Sequence, residues 1–174
     1  MIVFTHSSDD KELAANVQLA DETATLVLGA RLAAALAPGL KIWLEGDLGS
    51  GKTTLVRGVL RALGHAGTVK SPTYTLIEPY VISRIELYHF DFYRLDSPEE
   101  FLDAGLDEYF SGSGVCFVEW PRRAEPYLTA PDVIIALAAH DGGRRVMISA
   151  RTETGRTCLK RLIDPTPPAG RPAS

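Results

Sequence analysis

The chain has 174 residues, of which 45% are apolar and 23% charged, with a formal net charge of −4. This length supports one domain with a substantial core and is short for two. The balance is that of a globular protein, and the negative charge argues against a chain-wide electrostatic grip on nucleic acid or anionic lipid. Charge is uneven along the chain. From Arg144 onward seven Lys or Arg stand against two acids, whereas residues 99–108 carry five acids and no base. Two solvated faces are the simplest reading. Cys116 and Cys158 form no C-x-x-C pattern, and Cys116 sits in the apolar run Val115–Val118 as a small core hydrophobe. The opening MIVFTHSSDD turns polar too early for a signal peptide, and no apolar run approaches membrane-spanning length. The expected location is therefore cytoplasmic, with no membrane partner.

In chain order, ETATLVLGARLAAALAPG predicts a helix ended by Pro38 and Gly39, and LKIWLE a short buried strand. Leu55, Val56, Val59, Leu60 and Leu63 then recur at helical spacing, with Gly64 as the C-terminal stop. Gly58 inside this helix costs about 1 kcal/mol relative to Ala, which points to close packing there. YTLIEPYVISRIELYHFDFYRL is strand-like on both sides of Ser83–Arg84 and predicts a hairpin. SPEEFLDAGLDEYF reads as one helix, with Ser97 as N-cap, Pro98 at the first position and Glu100 closing a capping box. GVCFVEW is another buried strand. DVIIALAAHDGGRRVMISART is two strands around a turn at Asp141-Gly142-Gly143, and GRTCLKRLI is a last short helix. The proline-rich end is expected to be a disordered tail, residues 164–174, behind a domain of residues 1–163.

Between the first buried strand and the following helix, residues 46–53 satisfy G-x-x-x-x-G-K-[ST]. Such a loop binds a polyphosphate through a ring of backbone N–H groups, so it must curl inward where side chains would obstruct it. The helix beginning at Lys52 directs its positive end at the same anion. Gly46, Asp47, Leu48, Gly49, Ser50, Gly51, Lys52, Thr53 and Thr54 are the expected nucleotide contacts. Lys52 brings a mobile charge to the outer phosphates, and the Thr53 hydroxyl can ligate Mg²⁺. The context predicts an α/β fold, a single P-loop NTPase-like domain with a mixed sheet flanked by helices.

A phosphate loop needs a carboxylate near its magnesium, at the end of a neighbouring buried strand. Val115–Val118 ends in Glu119, and Leu87–Phe90 ends in Asp91. Both qualify, with an ion pair to nearby Arg94 as the alternative for Asp91. His89 has no second histidine at ligand spacing and reads as a strand side chain. Within VKSPTYTL, Thr73 can sense a γ-phosphate from a switch loop. Trp120 follows Glu119 directly, and lies either beside the nucleotide or on the domain surface.

Taken together, GDLGSGKTTLVRG, VKSPTYTL, YHFDFYRL, PEEFLDAGLDEYF and FVEWP resemble, in order and spacing, the TsaE family of P-loop ATPases in bacterial tRNA threonylcarbamoyladenosine biosynthesis. The resemblance runs from about Thr25 to Arg123, and more loosely through the terminal hairpin and helix. It implies Mg-ATP in the loop, with Thr53 and Glu119 as Mg²⁺ ligands and Asp91 as the acid required for hydrolysis. Lys52 and Thr73 complete the implied catalytic set, while Trp120 and Thr25 are implied nucleotide contacts. It further implies slow ATP hydrolysis that resets or regulates the TsaD and TsaB proteins, which transfer threonylcarbamoyl to the adenosine adjoining the anticodon. Contact with tRNA is then indirect. The Ala- and Arg-rich helices and the proline-rich tail depart from the family pattern. Three rivals compete with this reading. A GTPase needs an Asn-Lys-x-Asp segment, which the chain lacks. A small-molecule kinase needs an acceptor pocket and a basic lid, and no Arg-rich insertion serves as one. A non-catalytic module would bind nucleotide without turnover.

Overall fold

The most apolar strands of the chain lie side by side at the centre of an eight-stranded sheet in a computed structural model that describes residues 3–9 and 12–165. The elements are β1 (Phe4–Asp9), β2 (Glu12–Leu19), α1 (Glu22–Ala35), β3 (Lys41–Glu45), α2 (Lys52–Leu63), β4 (Ile77–Ile82), β5 (Ile85–Asp91), α3 (Glu99–Asp103), β6 (Val115–Glu119), β7 (Val133–His140), β8 (Gly143–Ala150) and α4 (Glu153–Ile163). The strand order is β1-β2-β8-β7-β3-β6-β5-β4. The pairs β7·β3, β3·β6 and β6·β5 are parallel, and the outer pairs are antiparallel. Parallel strands are covered on both faces, and β6 is accordingly buried at all five positions. This is the mixed α/β architecture expected from the order of elements.

Side-chain alternation divides the core in two. On β3, Ile42 and Leu44 pack with Leu28, Leu32, Leu55 and Val59 of the helices. Trp43 faces the other way, among Phe90, Phe92, Phe101 and Phe110. Helix α1 starts where the Asp21 side chain accepts from the Ala24 amide at 2.7 Å. The two long helices meet at glycines. A Cβ on Gly58 would stand 2.5 Å from the Leu26 carbonyl oxygen, and one on Gly29 would strike the Leu55 carbonyl. That contact is the close packing expected from Gly58. The β7–β8 turn places Asp141 (φ 44°) and Gly142 (φ 79°) in the left-handed region, as a type I′ hairpin requires.

Two expectations need correction. The segment read as one helix is broken: α3 ends at Asp103, Gly105 takes φ 66°, and a 3₁₀ turn follows at Leu106–Phe110. The break lets Phe101, Leu106 and Phe110 all enter the aromatic core, which a straight helix would not allow. The Glu100 half of the capping box does form, accepting from the Ser97 amide at 3.1 Å. The N-terminal hairpin β1–β2 was not anticipated. Ala15, Val17 and Leu19 alternate inward on β2, with half-buried Leu13 on the same face, and the strand pairs with β8, but the small alanine among them weakens the pattern. Of the expected tail, residues 166–174 lie outside the described residues. Among the described residues, no helix is long and apolar enough to cross a membrane.

Candidate functional site

Because β3, β5 and β6 run parallel, their C-terminal ends open at one edge of the sheet. The loop from Gly46 to Gly51 leaves β3 there, with Gly46 at φ 139° and Gly51 at φ 105°. At Gly51 a Cβ would lie 2.8 Å from Arg144 Nε, and at Gly46 it would lie 2.7 Å from Ser50 Oγ. Only glycine fits both positions, and the loop curls as the motif requires. Lys52 opens α2 and turns back into this loop, its Nζ donating to the carbonyls of Gly46 (2.6 Å) and Asp47 (2.9 Å). The ammonium also stands 4.5 Å from the centre of the Trp120 ring. Burial lowers the Lys52 pKa from 10.5, against the opposing pull of Glu119, Asp91 and Asp47.

The two candidate carboxylates are register partners, Asp91 on β5 beside Glu119 on β6. Both are almost fully buried, yet their surroundings differ. Glu119 Oε1 accepts from the Thr53 hydroxyl at 2.7 Å, and His89 Nε2 lies 2.9 Å from the same oxygen. Asp91 Oδ2 accepts from the hydroxyls of Ser71 and Thr73, the latter at 3.2 Å, and Oδ1 accepts from the Tyr93 amide at 2.9 Å. Arg94, the alternative partner for Asp91, turns instead to Tyr74. Its guanidinium stacks 4.4 Å over that ring and donates to the hydroxyl at 3.3 Å.

These groups surround a cleft of about 400 Å³. Leu48, Gly49, Gly51, Lys52, Thr53, Thr54, Thr73, Asp91, Glu119 and Trp120 line it, so most of the residues singled out from sequence are brought together. Gly46, Asp47 and Ser50 shape the loop behind that lining. Thr25 does not reach the cleft: fully buried, it donates to the Asp21 carbonyl at 3.1 Å and accepts from Arg144 at 3.0 Å. Thr53 and Glu119 present the hydroxyl and carboxylate that suit magnesium, which keeps waters and takes phosphate oxygens besides one or two protein ligands. No group of three His, Cys, Asp or Glu forms an all-protein metal cage among the described residues.

Sequence reading missed Arg144. From the start of β8 its Nε donates to the Ser50 carbonyl at 2.9 Å while another guanidinium nitrogen reaches Thr25, bracing the phosphate loop against α1. No local signal marks it, because its partners are 94 and 119 residues away. Ser71 opens segment 71–76, the part of VKSPTYTL expected to move with the γ-phosphate, and its hydroxyl is held by Asp91 Oδ2.

A family model described as "Threonylcarbamoyl adenosine biosynthesis protein TsaE" matches residues 19–147. The chain belongs to the TsaE family. It is 42% identical over 120 residues to the tRNA threonylcarbamoyladenosine biosynthesis protein TsaE of Haemophilus influenzae, covering 69% of this chain and 76% of that one. To the protein of the same description from Bacillus subtilis it is 45% identical over 123 residues, covering 70% and 77%. The crystal structure of Bacillus subtilis YdiB superimposes with a TM-score of 0.72 at 32% identity, over 93% of this chain and 95% of that one. The TsaE match begins at the end of β2 and runs into β8, so it takes in the phosphate loop, both carboxylates, Trp120 and Arg144.

Proposed function

We propose that this chain binds Mg-ATP in the cleft, hydrolyses it slowly, and uses its nucleotide state to regulate or reset a TsaD–TsaB pair during tRNA threonylcarbamoyladenosine biosynthesis. Membership of the TsaE family supports the pathway, and the phosphate loop supports the nucleotide. The observation that carries the regulatory part is the double attachment of Asp91 to segment 71–76. Its side chain holds Ser71 and Thr73, and its main-chain amide donates to the Leu76 carbonyl at 3.0 Å. A γ-phosphate entering beside Thr73 competes for the same hydroxyls, so binding and hydrolysis act on a loop that carries Tyr74, 83% exposed, at its tip.

Each residue then has a task. Lys52 exchanges the loop carbonyls for phosphate oxygens. Thr53 and Glu119 would hold magnesium, which would supply positive charge to neutralise the outer phosphates. Asp91 orients the attacking water, and Trp120 covers the phosphate side of the cleft. Arg144 keeps the loop in its curled form. In this reading the work is cytoplasmic, and contact with tRNA is made by the partners.

The test is co-elution with TsaD and TsaB on a sizing column, with and without ATP. The expected result is a complex that forms only with ATP and is lost in Lys52→Ala. Absence of any nucleotide-dependent complex would overturn the regulatory reading, and tighter binding of GTP than ATP would overturn the choice of nucleotide.

A further inference from the structure

His89 is fully buried on β5, and its Nδ1 finds no hydrogen-bond partner among the described residues. An apolar side chain of similar volume would fill the same space without stranding a ring nitrogen, so packing alone does not account for an imidazole here. What the imidazole adds is a single donor. A carboxylate oxygen offers only lone pairs, which assigns the proton to Nε2, directed at Glu119 Oε1. The same Oε1 takes the Thr53 hydroxyl, whereas no hydrogen bond among the described residues falls on Oε2. Glu119 lines the cleft, so one oxygen is engaged by the protein and the other is left for a ligand. Thr53 is itself placed to ligate magnesium, and its hydroxyl changes role when it does. His89 is the contact that keeps its role.

We propose that His89 is a positioning residue. Its Nε2–H fixes the rotation of the Glu119 carboxylate, keeps Oε2 toward the cleft, and thereby sets the affinity of the nucleotide complex for its divalent cation. This rests on the nucleotide reading above. Removing a group that orients a metal ligand commonly costs 10–100-fold in metal affinity.

The experiment titrates Mn²⁺, counted by electron paramagnetic resonance, into the full chain bound to a non-hydrolysable ATP analogue. The variants are His89→Leu, His89→Asn and His89→Gln. The glutamine amide reaches the position of Nε2, whereas the asparagine amide reaches only that of Nδ1. The expected result is a loss of Mn²⁺ affinity of about 10–100-fold in the Leu and Asn variants and recovery to within a few-fold in Gln. Binding of the analogue in EDTA should stay level throughout. Should the Leu variant fail to fold, the comparison of Asn with Gln carries the test. Parental Mn²⁺ affinity in the Asn variant, or equal losses in Asn and Gln, overturns the proposal and leaves nucleotide binding standing. A parent chain that binds no analogue with Mn²⁺ overturns the nucleotide reading and this inference with it.

Discussion

Glu119 and Asp91 stand on adjacent strands at the rim of one cleft, yet Glu119 shares its Oε1 with Thr53 while Asp91 holds the switch hydroxyls. Isosteric substitutions should therefore separate them. Glu119→Gln should weaken Mg-ATP binding on the order of tenfold by removing a charged metal contact. Asp91→Asn should retain affinity but lose on the order of 10²-fold or more in turnover, because a group that orients water acts mainly in the transition state. A fluorescent ATP analogue and a single-turnover assay read the two quantities, and equal losses of affinity in both variants would contradict the division. Trp120 supplies an internal reporter. Its emission should change on adding Mg-ATP, and the change should be absent in Lys52→Ala. Trp43, the other tryptophan of the chain, lies in the aromatic core, so Trp43→Phe leaves the reporter alone. An emission indifferent to nucleotide in Trp43→Phe would mean that the indole does not sense the site.

At the scale of elements, the meeting of α1 and α2 sets the attitude of the helix that begins the phosphate loop's far side. Gly58→Ala brings a methyl group against the Leu26 carbonyl, a backbone atom that cannot rotate away. Overpacking of about 1–3 kcal/mol should exceed the ~1 kcal/mol gained in helix propensity. The variant should melt several degrees lower, at roughly 2–4 °C per kcal/mol for a chain of this size. A higher melting temperature would show that the helices separate at little cost. The same elements show what the sequence makes legible. The phosphate loop is written in one contiguous stretch, and the β7–β8 turn in a single Asp-Gly pair, so both could be read directly. The break after α3 has a local mark in Gly105, which ends a helix as Gly64 does, but the apolar residues on either side of it also suit one continuous helix, and the aromatic core that Phe110 joins decides between the two. The roles of Arg144 and His89 arise across the sheet, from residues far apart in the chain, and no local pattern carries them.

For the whole molecule, three parallel strands deliver the loop, Asp91 and Glu119 to one edge, and the antiparallel return of β8 adds Arg144 to the cleft lining. Leu48 and Tyr74 stand 76% and 83% exposed, on the loop and on the switch segment. A partner seated over the cleft would meet both, and would meet Tyr74 differently once the hydroxyls of Ser71 and Thr73 leave Asp91. Under the proposed function, nucleotide state would reach another protein at this surface. The central claim is that this state drives repeated use of the TsaD–TsaB pair, and the most direct measurement is the number of tRNAs modified per pair. With threonylcarbamoyl-adenylate and tRNA in excess, adding the chain with ATP should raise that number well above the value for the pair alone, and Lys52→Ala should leave it unchanged. Equal turnover by the pair with and without the chain would contradict the account.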